Sequence, residues 1–388
     1  MKRDLTRKGI KICDTTLRDG EQSAGVVFAN EEKIRIAKLL DEIGVDQIEV
    51  GIPVMGGDEK EAITKIVQKN LSASILSWNR ADLKDIEHSI ECGVDAAAIS
   101  ISTSDIHIQY KLKKDRDWVL KQIDKCVRFA KSKNLYVSAN AEDASRTSME
   151  FLLKWAGVAK SAGADRIRFC DTLGLLNPHQ IYDKIKMLID EMGIDVEMHT
   201  HNDFGMATAN TIAGITAGAV WANTTVNGLG ERTGNASLEE VIMALKYTCA
   251  IDLGYQTKRF REIAEYVARA SGREIPHWKP IVGNNVFAHE AGVHVDGVYK
   301  DPRNYEIFSP EEVGMQRRII IGKHSGTSTI KMVLKERNIE TTDEEAYQIL
   351  EKVRKSAVSL KRSLTENEVY YIWQDMQAER ATNESNPG

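Results

Sequence analysis

The sequence predicts an α/β protein, a (β/α)8 barrel of the TIM type followed by a mostly helical C-terminal extension. Short β-like runs alternate with amphipathic helical stretches up to about residue 250, as parallel strands with crossover helices do. The units number eight, and no GxGxxG follows the first strand, which disfavours an open dinucleotide-binding sheet. Polar residues gather where strands end, on the face that carries the active site of such barrels.

The eight β-like runs are short and follow one another along the chain. They are IKICD (10–14), QIEVGIP (47–53), SASILSW (72–78), DAAAISIS (95–102), LYVSANAE (135–142), DRIRFCDT (165–172), DVEMHTH (195–201) and AVWANTTVN (219–227). Helical periodicity fills stretches between them, as in EEKIRIAKLLDEIG and PHQIYDKIKMLIDEMG. Pro178 near a helix start, and Gly44 and Gly193 just past helix ends, are typical helix boundaries.

The length of 388 residues exceeds what one hydrophobic core usually supports. We expect a catalytic barrel over 1–255, helical subdomains over 256–376 and a flexible tail over 377–388, which ends in the polar ATNESNPG. Within the second region, HEAGVHVDGVYKDPRNYEIFSPEEVG is loop-like and too specific in composition for a spacer. It is a second functional candidate.

The composition excludes several classes of function. The chain is 42% hydrophobic and 28% charged, and no apolar run approaches the roughly 20 residues of a membrane-spanning helix. A net charge of -5 without a cluster of Lys and Arg offers no surface for nucleic acid. The start MKRDLTRKGI lacks a following apolar segment, and the five cysteines form no CxxC pair. We therefore expect a cytoplasmic protein that binds small molecules, without nucleic-acid or membrane partners.

The segment HTHND predicts a metal site. His199 and His201 occupy alternate positions at a strand end, so both imidazoles project to the same side, into the barrel mouth. Asp19, just past the first strand in DTTLRDGEQ, would add a carboxylate, and Asn235, which ends NGLGERTGN, would add an amide oxygen. Asp14 is equally well explained as a cap of the loop.

This mixed set of nitrogen and oxygen ligands suits one divalent Lewis acid, and Mg, Mn and Zn are all admissible. Such a site can hold a 2-oxo acid through its carboxylate and carbonyl oxygens. Arg18, next to Asp19, is placed to stabilise the oxyanion that develops. These residues therefore predict a site that activates the carbonyl group of a 2-oxo acid as the electrophile of an aldol-type reaction.

Other titratable or polar groups extend this site. Glu142, Glu49 and Thr172 end further strands and would line the same mouth, although each could instead be structural. The nucleophile needs a base, and His294 and Tyr305 of the post-barrel loop are the spare groups. His289 is a weaker rival, and a lone loop histidine is usually structural.

The segments DTTLRDGEQ, HTHND, NGLGERTGN and HEAGVHVDG resemble the DRE-TIM metallolyase superfamily, in its Claisen-condensing branch of homocitrate, 2-isopropylmalate and citramalate synthases. The resemblance spans residues 10–330, with the motifs in matching order. It implies acetyl-CoA as co-substrate and one divalent metal ion. The implied roles are metal ligation by Asp19, His199, His201 and Asn235, carbonyl polarisation by Arg18, oxo-acid contacts by Glu142 and Thr172, and further site positions at Gln22 and Glu49.

The resemblance also implies that His294 and Tyr305 reach into the barrel of a neighbouring subunit and help to deprotonate the acetyl methyl group. A domain-swapped homodimer follows from this, and water would hydrolyse the resulting thioester. Lyases of the superfamily largely lack the segment from 251 to 376, which favours condensation. A barrel that only binds ligands would have no reason to place such residues at strand ends.

Fewer observations bear on the identity of the 2-oxo acid. The chain stops soon after its helical tail, which favours the short homocitrate synthases of this branch, especially the type that serves nitrogenase cofactor assembly, and hence 2-oxoglutarate. Ser138 stands where lysine-pathway members carry an arginine for the distal carboxylate. Arg80 or His107 is a possible substitute. If neither serves, an uncharged tail, as in 2-oxoisovalerate or pyruvate, is favoured.

Overall fold

The computed structural model describes residues 2–6 and 8–384. The chain forms two compact units, Met1–Ile275 and Pro276–Gly388. The first unit extends past the predicted barrel boundary at residue 255, because helix Phe260–Ser271 packs against helix Asn30–Ile43 of the barrel. Its attachment includes a hydrogen bond of 2.8 Å from Asn227 Nδ2 to the carbonyl of Ala264.

The first unit is a closed barrel of eight parallel strands, hydrogen-bonded in chain order, with the eighth strand paired to the first. The predicted TIM fold and its eight strands are confirmed. The strands are β1 (Lys11–Asp14), β2 (Gln47–Glu49), β3 (Ser74–Arg80), β4 (Ala96–Ser102), β5 (Tyr136–Glu142), β6 (Arg166–Asp171), β7 (Asp195–Thr200) and β8 (Trp221–Thr224).

Nine helices in the described part of this unit cover the barrel or follow it. They are α1 (Asn30–Ile43), α2 (Gly57–Val67), α3 (Leu83–Cys92), α4 (Arg116–Ser132), α5 (Met149–Ala162), α6 (Pro178–Met192), α7 (Ala207–Thr216), α8 (Leu238–Thr248) and α9 (Phe260–Ser271). The predicted boundaries are confirmed at α6, where Pro178 occupies the first turn after the Asn177 cap. Gly44 and Gly193 end α1 and α6 with φ of 112° and 54°, a conformation that favours glycine.

The barrel interior beneath the mouth is charged. Alternation along β6 and β7 brings Arg166 and Arg168 together with Glu197, and all three are fully buried. Arg166 Nε lies 2.6 Å from Glu197 Oε2, and its guanidinium lies 4.0 Å from the centre of the Trp221 ring. Opposite charges compensate one another here, which burial of an isolated charge would not allow.

The second unit is mostly helical, as predicted. It contains α10 (Gly292–Lys300), α11 (Thr327–Lys335), α12 (Asp343–Leu360), α13 (Glu366–Glu384) and a parallel pair of two-residue strands, β9 (Ala288–His289) and β10 (Arg318–Ile319). Apolar side chains of α11, α12 and α13 form its core.

The C-terminal segment differs from the prediction of a flexible tail over 377–388. Helix α13 continues through Glu384, and residues 385–388 lie outside the described residues. Arg380 forms an ion pair with Glu345 of α12 and donates to Gln348 Oε1 at 3.0 Å. These contacts with α12 extend the helix beyond the point where composition alone predicts disorder.

Two further properties concern the whole described chain. None of the five cysteines, all of which lie in the described ranges, forms a disulfide. No helix within residues 2–6 and 8–384 combines the length and apolar character needed to cross a bilayer.

Candidate active site

The turn after β1 fixes two of the predicted residues at the barrel mouth. Residues Thr16–Gly20 form one short π-helical turn, and the Asp19 N–H donates to the carbonyl of Thr15 at 2.9 Å. Arg18 and Asp19 are consequently buried side by side, with Arg18 Nη1 3.4 Å from Asp19 Oδ2.

Asp19, His199 and His201 meet as the sequence predicts. Nε2 of His199 lies 3.2 Å from Asp19 Oδ2, and Nε2 of His201 lies 3.8 Å from the same oxygen. The imidazole rings are perpendicular, with centroids 5.0 Å apart. One ligand atom from each residue lies within 4.8 Å of the others, so the three can converge on a single cation.

Asn235 lies next to this cluster because it forms an antiparallel bridge with His201. Its Oδ1 is buried and has no hydrogen-bond partner among the described residues. A buried amide oxygen without a partner costs stability unless something binds it. Gly230 permits this packing, since a Cβ there would lie 2.3 Å from Asn235 Nδ2. The donor set of one carboxylate, two imidazoles and one amide oxygen fits a divalent metal ion.

The electrostatics favour the ligand forms of these groups. Burial alone would raise the pKa of Asp19, but the positive charge of Arg18 and the adjacent imidazole of His199 outweigh it and lower the pKa. Burial, reinforced by His199, lowers the pKa of His201 to about 4. At neutral pH the carboxylate is therefore charged and this imidazole is neutral, as metal binding requires.

Arg18 is held in place from below by Glu49. Glu49 Oε2 lies 2.9 Å from Arg18 Nε and 2.8 Å from Nη2. Its Oε1 accepts from Arg168 Nη1 at 2.8 Å, and Thr15 donates to Oε2 at 2.5 Å. Burial would raise the pKa of Glu49, but Arg168 and Arg18 lower it to about 2. The structure thus places Glu49 behind Arg18, with both carboxylate oxygens occupied.

A cavity of about 180 Å³ opens above the cluster. Most of the predicted residues line it: Arg18, Asp19, Gln22, Glu142, Thr172, His199 and His201. Gln22 also accepts a hydrogen bond of 3.1 Å from Arg18 Nη1. The remaining wall is formed by residues that the sequence analysis did not select: Trp78, Ser100, Lys111, Asn140, Arg168, Cys170 and Glu231.

Glu142 lies at the end of β5, on the wall of this cavity. Ser102 Oγ donates to its Oε2 at 3.0 Å, and Lys111 forms an ion pair with its Oε1. Thr172, at the end of β6, accepts the Asp143 N–H at 2.9 Å. Both predicted residues are thus held at the mouth by neighbouring strands and loops.

Arg80 and His107, the predicted substitutes for the missing arginine, lie beside the cavity: His107 Nδ1 is 3.5 Å from Glu142 Oε1, and Arg80 lines an adjoining cavity. Arg80 forms a bidentate pair with Asp85, both contacts measuring 2.8 Å, and its side chain is 65% exposed. His107 lies 3.2 Å from Arg146 Nη2 and 3.7 Å from Asp143 Oδ2. Neither is among the described residues that line the cavity above the Asp19, His199 and His201 cluster.

His294 and Tyr305 belong to the second unit, where they form a pair. Their ring centroids are 4.3 Å apart, and both side chains are exposed. Gly297 allows the close approach, since a Cβ there would lie 2.5 Å from the Tyr305 ring. His289, the rival base, is mostly buried and lies 3.3 Å from Glu306. The His294–Tyr305 pair is therefore accessible to solvent, whereas His289 is held in contact with Glu306.

Comparison with known proteins identifies the family. The HMGL-like family matches residues 9–267, and a homocitrate synthase post-HMGL domain-like family matches residues 281–361. The chain belongs to the HMGL-like family.

Relatives within this family carry different names. 2-isopropylmalate synthase 2 of Caldanaerobacter subterraneus subsp. tengcongensis is 62% identical over 95% of this chain and 96% of its own. Homocitrate synthase 1 of Nostoc sp. is 50% identical over 93% and 96%. (R)-citramalate synthase of Methanocaldococcus jannaschii is 45% identical over 89% and 70%. The chain is therefore an enzyme of the group of synthases that condense an acyl-CoA with a 2-oxo acid.

The HMGL-like barrel also resembles solved structures. A Bacillus subtilis HMG-CoA lyase matches with a TM-score of 0.63 at 20% identity, covering 70% of this chain and 96% of that one. At this identity the likeness supports the fold of the barrel.

Several residues of this site were missed in the sequence analysis, although the strand sequences point to some of them. Arg168 and Glu197 are charged residues that alternate with apolar ones inside buried strands, a pattern that itself indicates a paired interior network. Lys111 left no such signal, because it lies in the short π-helical segment His107–Leu112 with Lys113 and Lys114 just beyond it.

Proposed function

We propose that this enzyme condenses acetyl-CoA with 2-oxoglutarate and hydrolyses the thioester, giving homocitrate and CoA. The observation that carries the choice of substrate is Lys111, whose ammonium group lines the metal-bearing cavity beside Glu142. It offers a cation for the distal carboxylate of a 2-oxo diacid.

The polarity of the wall supports this choice. Ser100, Asn140 and Lys111 line the cavity together with the single aromatic side chain of Trp78. An isopropyl tail could form no hydrogen bond with these polar side chains, whereas a distal carboxylate could. Arg168 also lines the cavity, but it is already engaged by Glu49 and Glu197. Lys111 is 52% exposed and can turn from Glu142 to a substrate.

The reacting end would lie at the metal cluster. A divalent ion on Asp19, His199, His201 and Asn235 would supply Lewis-acid polarisation of the oxo-acid carbonyl. Arg18 is fixed by Glu49 and Gln22, so its guanidinium needs no reorganisation to stabilise the negative charge that develops on oxygen. Thr172 and Glu142 would orient the oxo acid from the opposite strands.

For the base we propose His294, with Tyr305, acting in the barrel of a second copy of the chain as a domain-swapped homodimer. The pair supports this role because it is exposed and its rings are close. Imidazole is the commonest general base near neutral pH. Deprotonation of the acetyl methyl group would give the carbon nucleophile that attacks the 2-oxo carbon.

A second candidate, 2-isopropylmalate synthase acting on 2-oxoisovalerate, is favoured by two observations. The relative of that name is 62% identical. A neighbouring cavity of about 400 Å³ shares Trp78 and Lys111 with the first, and its wall includes the apolar side chains of Leu112 and Trp118 beside charged ones such as Arg80. An apolar tail would find a place there. Pyruvate, as in citramalate synthases, would need neither this cavity nor Lys111.

The deciding experiment is a thiol-release assay with acetyl-CoA and 2-oxoglutarate, 2-oxoisovalerate, pyruvate or oxaloacetate. We expect kcat/KM to be highest for 2-oxoglutarate. Lys111→Met should lower that value by about 10–100-fold, the worth of one charged hydrogen bond, and should leave 2-oxoisovalerate almost unaffected. Lys113→Met, two residues further along the chain, is the matched control. A clear preference of the wild type for 2-oxoisovalerate would overturn the proposal in favour of the second candidate.

A further inference from the structure

A buried chain of polar contacts links His199 to the interior of the barrel. His199 Nδ1 lies 2.8 Å from Asn223 Oδ1, and Asn223 Nδ2 donates to Glu197 Oε1 at 2.9 Å. Glu197 precedes His199 by two residues on β7, so the two side chains point the same way. Asn223 is 1% exposed and Glu197 is fully buried, which leaves these contacts without competition from solvent.

These contacts fix the tautomer of His199. Glu197 is held as a carboxylate by Arg166 at 2.6 Å and Arg168 at 3.1 Å, so it only accepts hydrogen bonds. The amide of Asn223 must therefore turn its NH₂ group towards Glu197 and its oxygen towards His199. His199 then carries its proton on Nδ1, which leaves the Nε2 lone pair facing Asp19 at 3.2 Å.

The same chain continues to the other side of the site. Arg168 bridges Glu197 and Glu49, with its Nη1 2.8 Å from Glu49 Oε1, and Glu49 in turn holds Arg18. His201 lacks such support: its Nδ1 is buried without a hydrogen-bond partner in the described part of the chain. The two histidines are thus held differently, and the interior network acts on only one of them.

We propose that Asn223 and Glu197 are positioning residues, which hold His199 in the Nδ1–H tautomer so that Nε2 is available to a divalent cation. Through Arg168 and Glu49 the same network sets the position of Arg18 relative to the cation. This inference rests on the proposed metal-dependent function, and neither residue touches the reacting atoms.

The test measures the affinity of the metal-free protein for Co²⁺, without acetyl-CoA or oxo acid, by competition with a chromogenic chelator. Asn223→Leu should weaken binding about 10–100-fold, as loss of the hydrogen-bond partner of a metal ligand typically does. The matched control is Asn79→Leu. Asn79 is equally buried in the barrel wall, but its partners are Ser89 Oγ and the carbonyl of Ala98. This control should keep wild-type affinity, and thermal melts of both variants report whether each is folded.

Exchanging the carboxylate and the amide between positions 197 and 223 shows whether the loss of affinity comes from the tautomer of His199 or from general packing. Glu197→Gln alone should weaken Co²⁺ binding, because an uncharged amide no longer fixes the orientation of Asn223. The double variant Glu197→Gln/Asn223→Asp moves the carboxylate next to His199 at constant total charge, and it should restore affinity to within about threefold of wild type. Folded Asn223→Leu that binds Co²⁺ as tightly as Asn79→Leu would overturn the inference. A wild-type protein that binds no Co²⁺ would instead overturn the metal centre of the proposed function.

Discussion

Glu49 Oε2 lies 2.8 Å from Arg18 Nη2, and the carboxylate is fully buried behind the guanidinium. We expect Glu49→Gln to lower kcat by about 10–100-fold with a smaller effect on KM for the oxo acid, because small displacements of a positioned group are costly in the transition state. Steady-state thiol release measures both constants.

Glu59→Gln is the control for this prediction. Glu59 is another largely buried carboxylate close to β2 in the chain, and it pairs with Lys33 at 2.5 Å. Equal losses of kcat in the two variants would mean that general damage, and not the placement of Arg18, explains the result.

Glu49 also illustrates what the sequence could reveal. The fold was predictable because eight strand-like runs alternate with helical periodicity, a pattern that local chemistry determines. The metal cluster was predictable because HTHND and DTTLRDGEQ end strands whose carboxyl ends meet on one face of a barrel. The position of Glu49 at a strand end did not reveal that three donors from other segments saturate its carboxylate.

Arg80 and His107 show the same limit. Both follow strands at the correct face, but the direction of each side chain depends on partners that the sequence does not pair: Asp85 for Arg80, and Arg146 with Asp143 for His107. Tertiary contacts decide such orientations, and periodicity carries no information about them.

Removal of a metal ligand should abolish turnover. His201→Ala removes one of the three clustered ligand groups, so we expect bound divalent metal to fall in parallel with activity, each by at least about 100-fold. Elemental analysis and thiol release measure the two quantities. His179→Ala, an exposed histidine at the start of α6, serves as the control. Wild-type activity in metal-free His201→Ala would contradict the assignment.

Mixing two inactive variants tests the proposed swapped homodimer. Asp19→Ala disables the barrel, and His294→Ala disables the group donated to the other barrel. If the sites are shared, co-refolded mixed dimers contain one intact site, and the mixture should recover about a quarter of the wild-type rate, since about half of the dimers are mixed. The same variants assayed separately are the controls. Recovery that never exceeds their sum would show that each subunit completes its own site.

The buried carboxyl group of Asp14 should make the stability of the fold depend on pH. Burial raises the pKa of Asp14 to about 7, although its carboxylate accepts the Thr16 N–H at 2.9 Å and the Thr224 hydroxyl at 3.3 Å. The folded state therefore binds a proton more readily than the unfolded chain, so this group's contribution to stability is present below about pH 4 and is lost as the pH rises towards 7.

Asp14→Asn keeps the shape and does not titrate; its amide oxygen can still accept the Thr16 N–H, while its NH₂ group would donate to the Thr224 hydroxyl. Its stability relative to wild type should rise between pH 4 and 8, by up to about 4 kcal/mol, and urea midpoints across this range would measure the difference. Asp252 supplies a control of opposite sign, because a hydrogen bond from the Gly254 N–H lowers its pKa. Asp252→Asn should lose stability relative to wild type as the pH rises through the ordinary carboxyl range towards about 4, and the difference should stay constant above it. If the difference between Asp14→Asn and wild type stays constant from pH 4 to 8, Asp14 does not titrate as its burial requires.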